Sequence, residues 1–267
     1  MKRALKDDDD HALEIHLPID TLARLTLLDL TLPTPEENLA LDEALLIVCE
    51  EAVQSQWPAE AAEVLRFWES SAYFVALGVG QKLKADVDLE ACIRSGVPVL
   101  RRASGGGTVL QGPGCLNFTL VVSLEARPEL RDLQRSYKDI LERTARGLGL
   151  ERVSPRGVSD LTLGDQKFCG NAQKRTRRAL LHHGTILHEF DLQLVGQFLR
   201  EPAKQPEYRE RRAHQAFLTN ISLRAEEIKS RIAGAWTAAA PATPFQLPPL
   251  ERLLREKYAT REWTERF

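Results

Sequence analysis

Three short segments hold the residues whose types and spacing suit chemistry. The first is RRASGGGTVLQGPGCLNFTL, residues 101–120. Gly105, Gly106 and Gly107 lack side chains, so the backbone there can turn sharply and a ligand can approach it closely. Successive amides in such a loop can converge on an anion. Arg101 and Arg102 lead into it. On a strand they face opposite sides, so one of the two points into a site. The plainer alternative is a glycine-rich hairpin within a sheet. There is no GxxxxGK[ST], and GVGQKL from Gly78 breaks GxGxxG at its last position, so the usual phosphate loops do not fit.

The second segment is DLTLGDQKFCGNAQ, which reads as a hairpin turning at Gly164-Asp165. Alternation puts Lys167 and Cys169 on one face and Phe168 on the other. A lysine in a half-buried strand is costly unless paired or in use, although its stem can also carry the ammonium out to water. Cys169 suits a small buried filler, or a thiolate favoured by the neighbouring ammonium. The third segment is LLHHGTIL. Its adjacent His182 and His183 alternate faces, so one can enter a site while the other packs. With no cysteine or carboxylate at ligand spacing, the pair does not suggest a metal.

These segments need a scaffold. LARLTLLDLTL (22–32) reads as a strand. PTPEENLALDEALLIVCEEAVQSQ reads as a helix, with Thr34 as cap, Pro35 in the first turn, and Glu36 and Glu37 at its positive end. EVLRFWES and YFVALGVG are strands split by Ser70-Ser71, VDLEACIRSG a short helix ending at Gly96, and VPVLRRAS and CLNFTLVVSL further strands. ELRDLQRSYKDILERTARGLGL is an amphipathic helix. Helices are also expected over LQLVGQFLR, LRAEEIKSRIAGAWTAA and the tail LERLLREKYATREWTERF. Strand-rich text broken by a few long helices indicates α+β, a mixed, largely antiparallel sheet with packed helices. Strict β-α alternation is missing, against a doubly wound nucleotide fold.

The expected organisation is a mobile acidic arm over 1–20, a catalytic domain over 21–240, and a Pro-rich linker with a C-terminal helix over 241–267. The chain has 267 residues, 28% charged and 43% hydrophobic, with net charge −2. That balance provides no global field for nucleic acid or a membrane surface. No apolar run reaches the roughly 18 residues of a membrane span, and no apolar segment follows the basic N-terminal residues as in a secretory leader. The scattered Cys49, Cys92, Cys115 and Cys169 suit reduced thiols in a cytoplasmic protein.

Taken together and in order, RRASGGGTVLQGPGCLNFTL, SDLTLGDQKFCGNAQKR and LLHHGTIL resemble the lipoate–protein ligase family, part of the wider biotin/lipoate ligase and octanoyltransferase fold. ENLALDEALL and LRFWESSAYFVALGVGQ look like that family's first helix and first hairpin. The resemblance covers most of residues 22–225. It implies a fold akin to the class II aminoacyl-tRNA synthetases and biotin ligases, with a forked pocket for an acyl chain and ATP. Lys167 would be the essential lysine, neutralising the carboxylate and phosphate as the acyl-adenylate forms. Arg102, Ser104 and Gly105–Gly107 would line the acyl and phosphate region. Asn171, Ala172, His183, Gly184 and Thr185 would contact the acyl group, and Gly107, Thr108, Asp160, Lys167 and Asn171 the nucleotide. The implied co-substrates are lipoate or octanoate and ATP, with Mg2+. The implied acceptor is a lysine of a lipoyl domain.

Two departures matter. EKYATREWTERF looks like the opening of the family's accessory domain, so adenylation is expected to draw on a separate accessory subunit or on preformed lipoyl-adenylate. KQPEYRERRAHQAFLTN occupies the place of the loop that closes over the adenylate, where Arg209, Arg211, Arg212 and His214 could meet an anion. The alternative enzyme is an octanoyltransferase fed by acyl carrier protein, with a cysteine nucleophile and no ATP. The cysteine expected near Arg152–Gly157 is missing, and Cys169 stands where ligases commonly have serine, so the ligase is the favoured expectation. A lipoate-binding module without activity is a third reading, opposed by the intact glycine loop and Lys167.

Overall fold

The computed structural model describes residues 25–55, 62–241 and 245–267. The expected N-terminal arm and part of the Pro-rich linker lie outside these residues. Two sheets form the frame. The larger has eight strands in the order β11-β1-β2-β6-β10-β9-β8-β7, and the smaller has three, β4-β3-β5. The strands are β1 (Leu25–Asp29), β2 (Val64–Trp68), β3 (Phe74–Leu77), β4 (Val99–Arg101), β5 (Val109–Gln111), β6 (Cys115–Ser123), β7 (Val153–Arg156), β8 (Asp160–Leu163), β9 (Gln166–Arg175), β10 (Ala179–Leu187) and β11 (Ala238–Ala239). Pairing from β2 through β7 is antiparallel, whereas β1 runs parallel to β2 and β11. The fold class is therefore α+β with a large, mostly antiparallel mixed sheet, as read.

The strands on either side of Ser70-Ser71 do not form a hairpin. β2 joins the large sheet between β1 and β6, while β3 starts the small sheet between β4 and β5. The chain changes sheets here, and the step between them creates the cleft described below.

Helix α1 (Pro35–Gln54) begins as its sequence dictates. Thr34 and Glu37 form a reciprocal capping box, Pro35 fills the first turn, and Glu36 and Glu37 sit at the positive end. Leu41, Leu45 and Leu46 pack on Val64, Val121 and Leu181 of the large sheet. The opposite sheet face is covered by α4 (Leu133–Leu148) and α7 (Ala225–Ala235), with Phe118, Leu120, Ile140, Phe168 and Ile232 in one apolar cluster. The short helices α2 (Leu83–Asp86), α3 (Leu89–Ser95), α5 (Val195–Phe198) and α6 (His214–Phe217) surround the small sheet and the cleft. α3 stops where Gly96 adopts φ 65°, a conformation glycine enters without a Cβ penalty.

The tail is not one helix. It splits into α8 (Glu251–Leu253), a wide turn over Leu254–Tyr258 and α9 (Arg261–Thr264), which Thr260 caps. It is tied to the body: Lys257 Nζ and Tyr258 Oη donate to the buried Glu43, and Arg101 donates to the carbonyls of Trp263 and Thr264. Of the two leading arginines, Arg101 thus serves the tail and Arg102 the cleft. No described helix is long and apolar enough to cross a membrane.

Candidate active site

A cavity of ≈ 650 Å³ lies between the α1-bearing face of the large sheet and the small sheet. That is in the range of roughly 300–1,000 Å³ that accommodates a small organic ligand. Its apolar end is walled by Leu110, Leu187, Phe190, Val195 and Leu199. Its polar end holds Lys167, Asp160, Gly106 and Gly107 of the glycine loop and, at the mouth, Lys82, Arg200 and Lys204.

Lys167 is in that cavity with its side chain 24% exposed, and its Nζ lies 2.7 Å from Oδ1 of Asp160. The hairpin turns at Gly164-Asp165 as expected, with Leu163 opposite Gln166 and Thr162 opposite Lys167. The register then slips. Leu161 pairs with Cys169, so Phe168 is an extra residue with no partner in β8. Such a bulge reverses the side-chain parity beyond it. Lys167 therefore shares its face with Asp160 and Gly170, where a Cβ on Gly170 would come within 2.8 Å of the lysine Nζ. Cys169 goes to the other face, among Leu161 and Ile186 in the core. The expectation that Lys167 and Cys169 share a face is corrected by this one residue. Cys169 borders the cavity but is 1% exposed, and burial pushes its thiol up to about 12 against the opposing pull of Lys167 and Asn171. It is not disposed as a thiolate nucleophile. Cys49, Cys92 and Cys115 are buried as well.

The glycine loop is held from behind. Arg102 is buried; its Nη2 donates to the carbonyls of Gly105 (2.6 Å) and Gly107 (2.7 Å), its Nη1 to Ala76 and its Nε to Ser104 Oγ. Burial lowers its pKa to about 10, leaving it cationic at neutral pH. With the carbonyls drawn to the guanidinium, the amides of Gly105, Gly106 and Gly107 donate to no described residue, as an anion cradle requires. Gly106 sits at φ 81° with Arg102 and Ala172 beside it. Gly78 passes so close to the carbonyl oxygens of Gly105 and Gly106 that a Cβ there would collide. Thr108 donates to Asp86 at 2.6 Å, and both border the cavity.

The two histidines divide as alternation requires. His182 is sealed between Phe118 and Tyr137; burial, and then the neighbouring His183, lower its pKa to about 3. His183 faces the cavity, with Nε2 2.5 Å from Ser104 Oγ and Nδ1 3.4 Å from Asp42 Oδ2. Asp42 also receives Arg66 at 2.6 Å and Thr119 at 2.8 Å. Burial opposes its ionisation, yet Arg66, His183 and Thr119 together hold the carboxyl below the ordinary range. A continuous polar chain thus runs from α1 through β10 to the glycine loop.

Ala172 and Thr185 line the cavity as expected, and Thr185 bridges Gln111 and Asn117. Asn171 also borders it, but its amide is committed to Ser159 O and His182. Gly184 is glycine for packing, since a Cβ would strike Asn171 and Phe118. Arg209 borders the cavity but pairs with Glu201, and Arg212 pairs with Asp165, which holds the loop together. Arg211 is exposed, and His214 borders the cavity. Lys82, Arg200 and Lys204 are the mouth cations without a carboxylate partner among the described residues. Asp42, Gln111, Asn117 and Tyr208 were not singled out from sequence. The readable signal for Asp42 was an acid inside an otherwise apolar run, ENLALDEALL. Buried Gln111 Oε1 and Trp68 Nε1 border the cavity without a described partner, a pattern that suits a polar guest. No group of three described His, Cys, Asp or Glu side chains is placed to hold a metal.

The profile of the lipoyl protein ligase A/B catalytic domain matches residues 34–234. The octanoyltransferase LipM of Carboxydothermus hydrogenoformans is 30% identical over 264 residues, covering 86% of this chain and 94% of that protein. Lipoate–protein ligase 1 of Staphylococcus aureus is 27% identical over 237 residues, covering 85% of this chain and 71% of the relative. Among solved structures, the bipartite lipoate protein ligase of Thermoplasma acidophilum superposes with a TM-score of 0.72 at 22% identity, covering 91% of this chain and 96% of that one.

Proposed function

The chain belongs to the lipoyl protein ligase A/B catalytic family, and we propose that its site transfers a lipoyl or octanoyl group from an acyl-adenylate to a lysine of a lipoyl domain. The observation that carries this reading is Lys167 inside a two-ended cavity that has no accessible thiol. The apolar end accepts the acyl chain. The amides of Gly105–Gly107 and the ammonium of Lys167 meet the phosphate and the acyl oxygen. Charge that develops on those oxygens is stabilised by donors already in place. The neutral acceptor amine attacks the acyl carbon, the carbon–oxygen bond to phosphate breaks, AMP leaves with that electron pair, and the proton released by the amine passes to solvent. No protein nucleophile is needed. ATP, with Mg2+, and the free acid would supply the donor, either at this site or through an accessory subunit. The exposed cations Lys82, Arg200 and Lys204 suit the added phosphates.

A second reading, octanoyl transfer from acyl carrier protein through a cysteine thioester, is favoured by the extent of the match to an octanoyltransferase. Against it stand the burial of all four cysteines and the lack of one between Arg152 and Gly157. The test supplies a lipoyl domain with preformed octanoyl-adenylate, with octanoate and ATP-Mg2+, or with octanoyl carrier protein. Acylation from the adenylate supports the proposal. Acylation from the carrier protein alone replaces it with the second reading.

A further inference from the structure

Asp160 is shared. Its Oδ1 holds Lys167 at 2.7 Å, and its Oδ2 accepts a hydrogen bond from the Tyr208 hydroxyl at 2.6 Å. Tyr208 belongs to the segment 201–214, which lines the cavity through Pro202, Ala203, Lys204, Pro206, Arg209 and His214. Its ring lies against the turn at Gly157 and 5.4 Å from the Phe217 ring. Burial, followed by the charge of Asp160, raises its pKa, so the hydroxyl keeps its proton and donates. Of the cations that act on it, Arg156 lies 6.0 Å from the ring and Arg212 pairs with Asp165, and neither pairs with Asp160. Directly after Tyr208 and Arg209, Glu210 and Arg211 hold φ of 51° and 58°, conformations that non-glycine residues avoid. The segment is kept in this shape by the Arg209–Glu201 and Arg212–Asp165 pairs and by the Tyr208 hydroxyl.

We propose that Tyr208 is a positioning residue that latches the segment 201–214 over the cavity mouth and, by taking one oxygen of Asp160, leaves the Lys167 ammonium available to the acyl phosphate. The catalytic part of this inference rests on the adenylate-transfer reading, whereas the latch itself does not. Without the hydroxyl, the carboxylate is left to Lys167 alone and draws the ammonium back from the substrate. The segment also loses its hydrogen bond to Asp160.

The test is Tyr208→Phe, which keeps the ring and its packing. Hydrogen exchange is measured on the ligand-free full-length protein. The amides of Arg209, Glu210 and Arg212, which donate within the segment, are expected to exchange about tenfold faster, as for an opened local unit. With octanoyl-adenylate as donor, kcat is expected to fall about tenfold, near the lower end of what one hydrogen bond to a charged group contributes, with KM for the lipoyl domain unchanged. In an Asp160→Asn background the same substitution should add no further loss of kcat, since the coupling runs through that carboxylate. Unchanged exchange, or an equal loss of kcat in the Asp160→Asn background, overturns the proposal. If the parent protein acylates nothing from any donor, the functional reading fails, and the exchange result alone decides the latch.

Discussion

Replacing Lys167 with alanine removes the ammonium that pairs with Asp160 and leaves the glycine-loop amides in place. An oriented donor that meets developing oxyanion charge contributes about 100- to 1,000-fold to turnover. The loss should fall in that range because Arg102, the nearest other cation on the glycine loop, is committed to Ala76, Ser104, Gly105 and Gly107. The stability effect is smaller. The lysine is 24% exposed and Asp160 retains the Tyr208 hydroxyl, so solvent screening discounts the pair to about 1 kcal/mol. For a chain of this size that shifts Tm by about 2–4 °C. Single-turnover transfer from preformed octanoyl-adenylate to a lipoyl domain isolates this step from adenylate formation. A folded Lys167→Ala protein turning over within about threefold of the parent would refute the reasoning, since so small a change is under 1 kcal/mol of barrier.

Other perturbations have equally definite outcomes. His182 is buried neutral with its pKa lowered to about 3, so between pH 6.5 and 3 the unfolded chain takes up a proton that the folded one refuses. Stability should fall with acid across that window by up to ~1.4 kcal/mol per pH unit, and His182→Gln should flatten this slope in denaturant titrations at pH 7, 6 and 5. Gly106→Ala forces a Cβ into a left-handed position beside Arg102 and Ala172; a stability loss of roughly 1–2 kcal/mol is expected, with weaker binding of an adenylate analogue by calorimetry. Cys169→Ser should leave acyl transfer from the adenylate within about threefold while lowering Tm, because a hydroxyl in that core site gains no new transfer role and loses apolar contact; abolished transfer with an intact fold would point to the thiol.

Much of the scaffold could be read from local text. The capping box at Thr34 and Glu37, the turn at Gly164-Asp165 and the opposed faces of His182 and His183 each depend on residues within a few positions of one another. What failed to show in the sequence depends on partners far along the chain. β2 and β3 flank a serine pair like the arms of a hairpin, yet β2 takes β6 as its antiparallel partner and β3 takes β5. Cys169 changes faces because β9 carries one extra residue, Phe168, between the partners of Thr162 and Leu161, which appears only once the register is known. Arg209 and Arg212 looked free to bind an anion, but Glu201 and Asp165, neither adjacent to its partner, claim them. Tyr208 gave no signal because its meaning comes from Asp160, 48 residues earlier.

In the proposed reaction the acyl group passes from phosphate to the acceptor amine without ever being attached to this chain. Acid-quenched intact-mass measurement during turnover, with the lipoyl domain limiting, tests it directly. An unmodified enzyme is expected throughout, with free acyl-adenylate in the quenched solution. An enzyme carrying one octanoyl group, removed by hydroxylamine and absent from the Cys169→Ser protein, would contradict it.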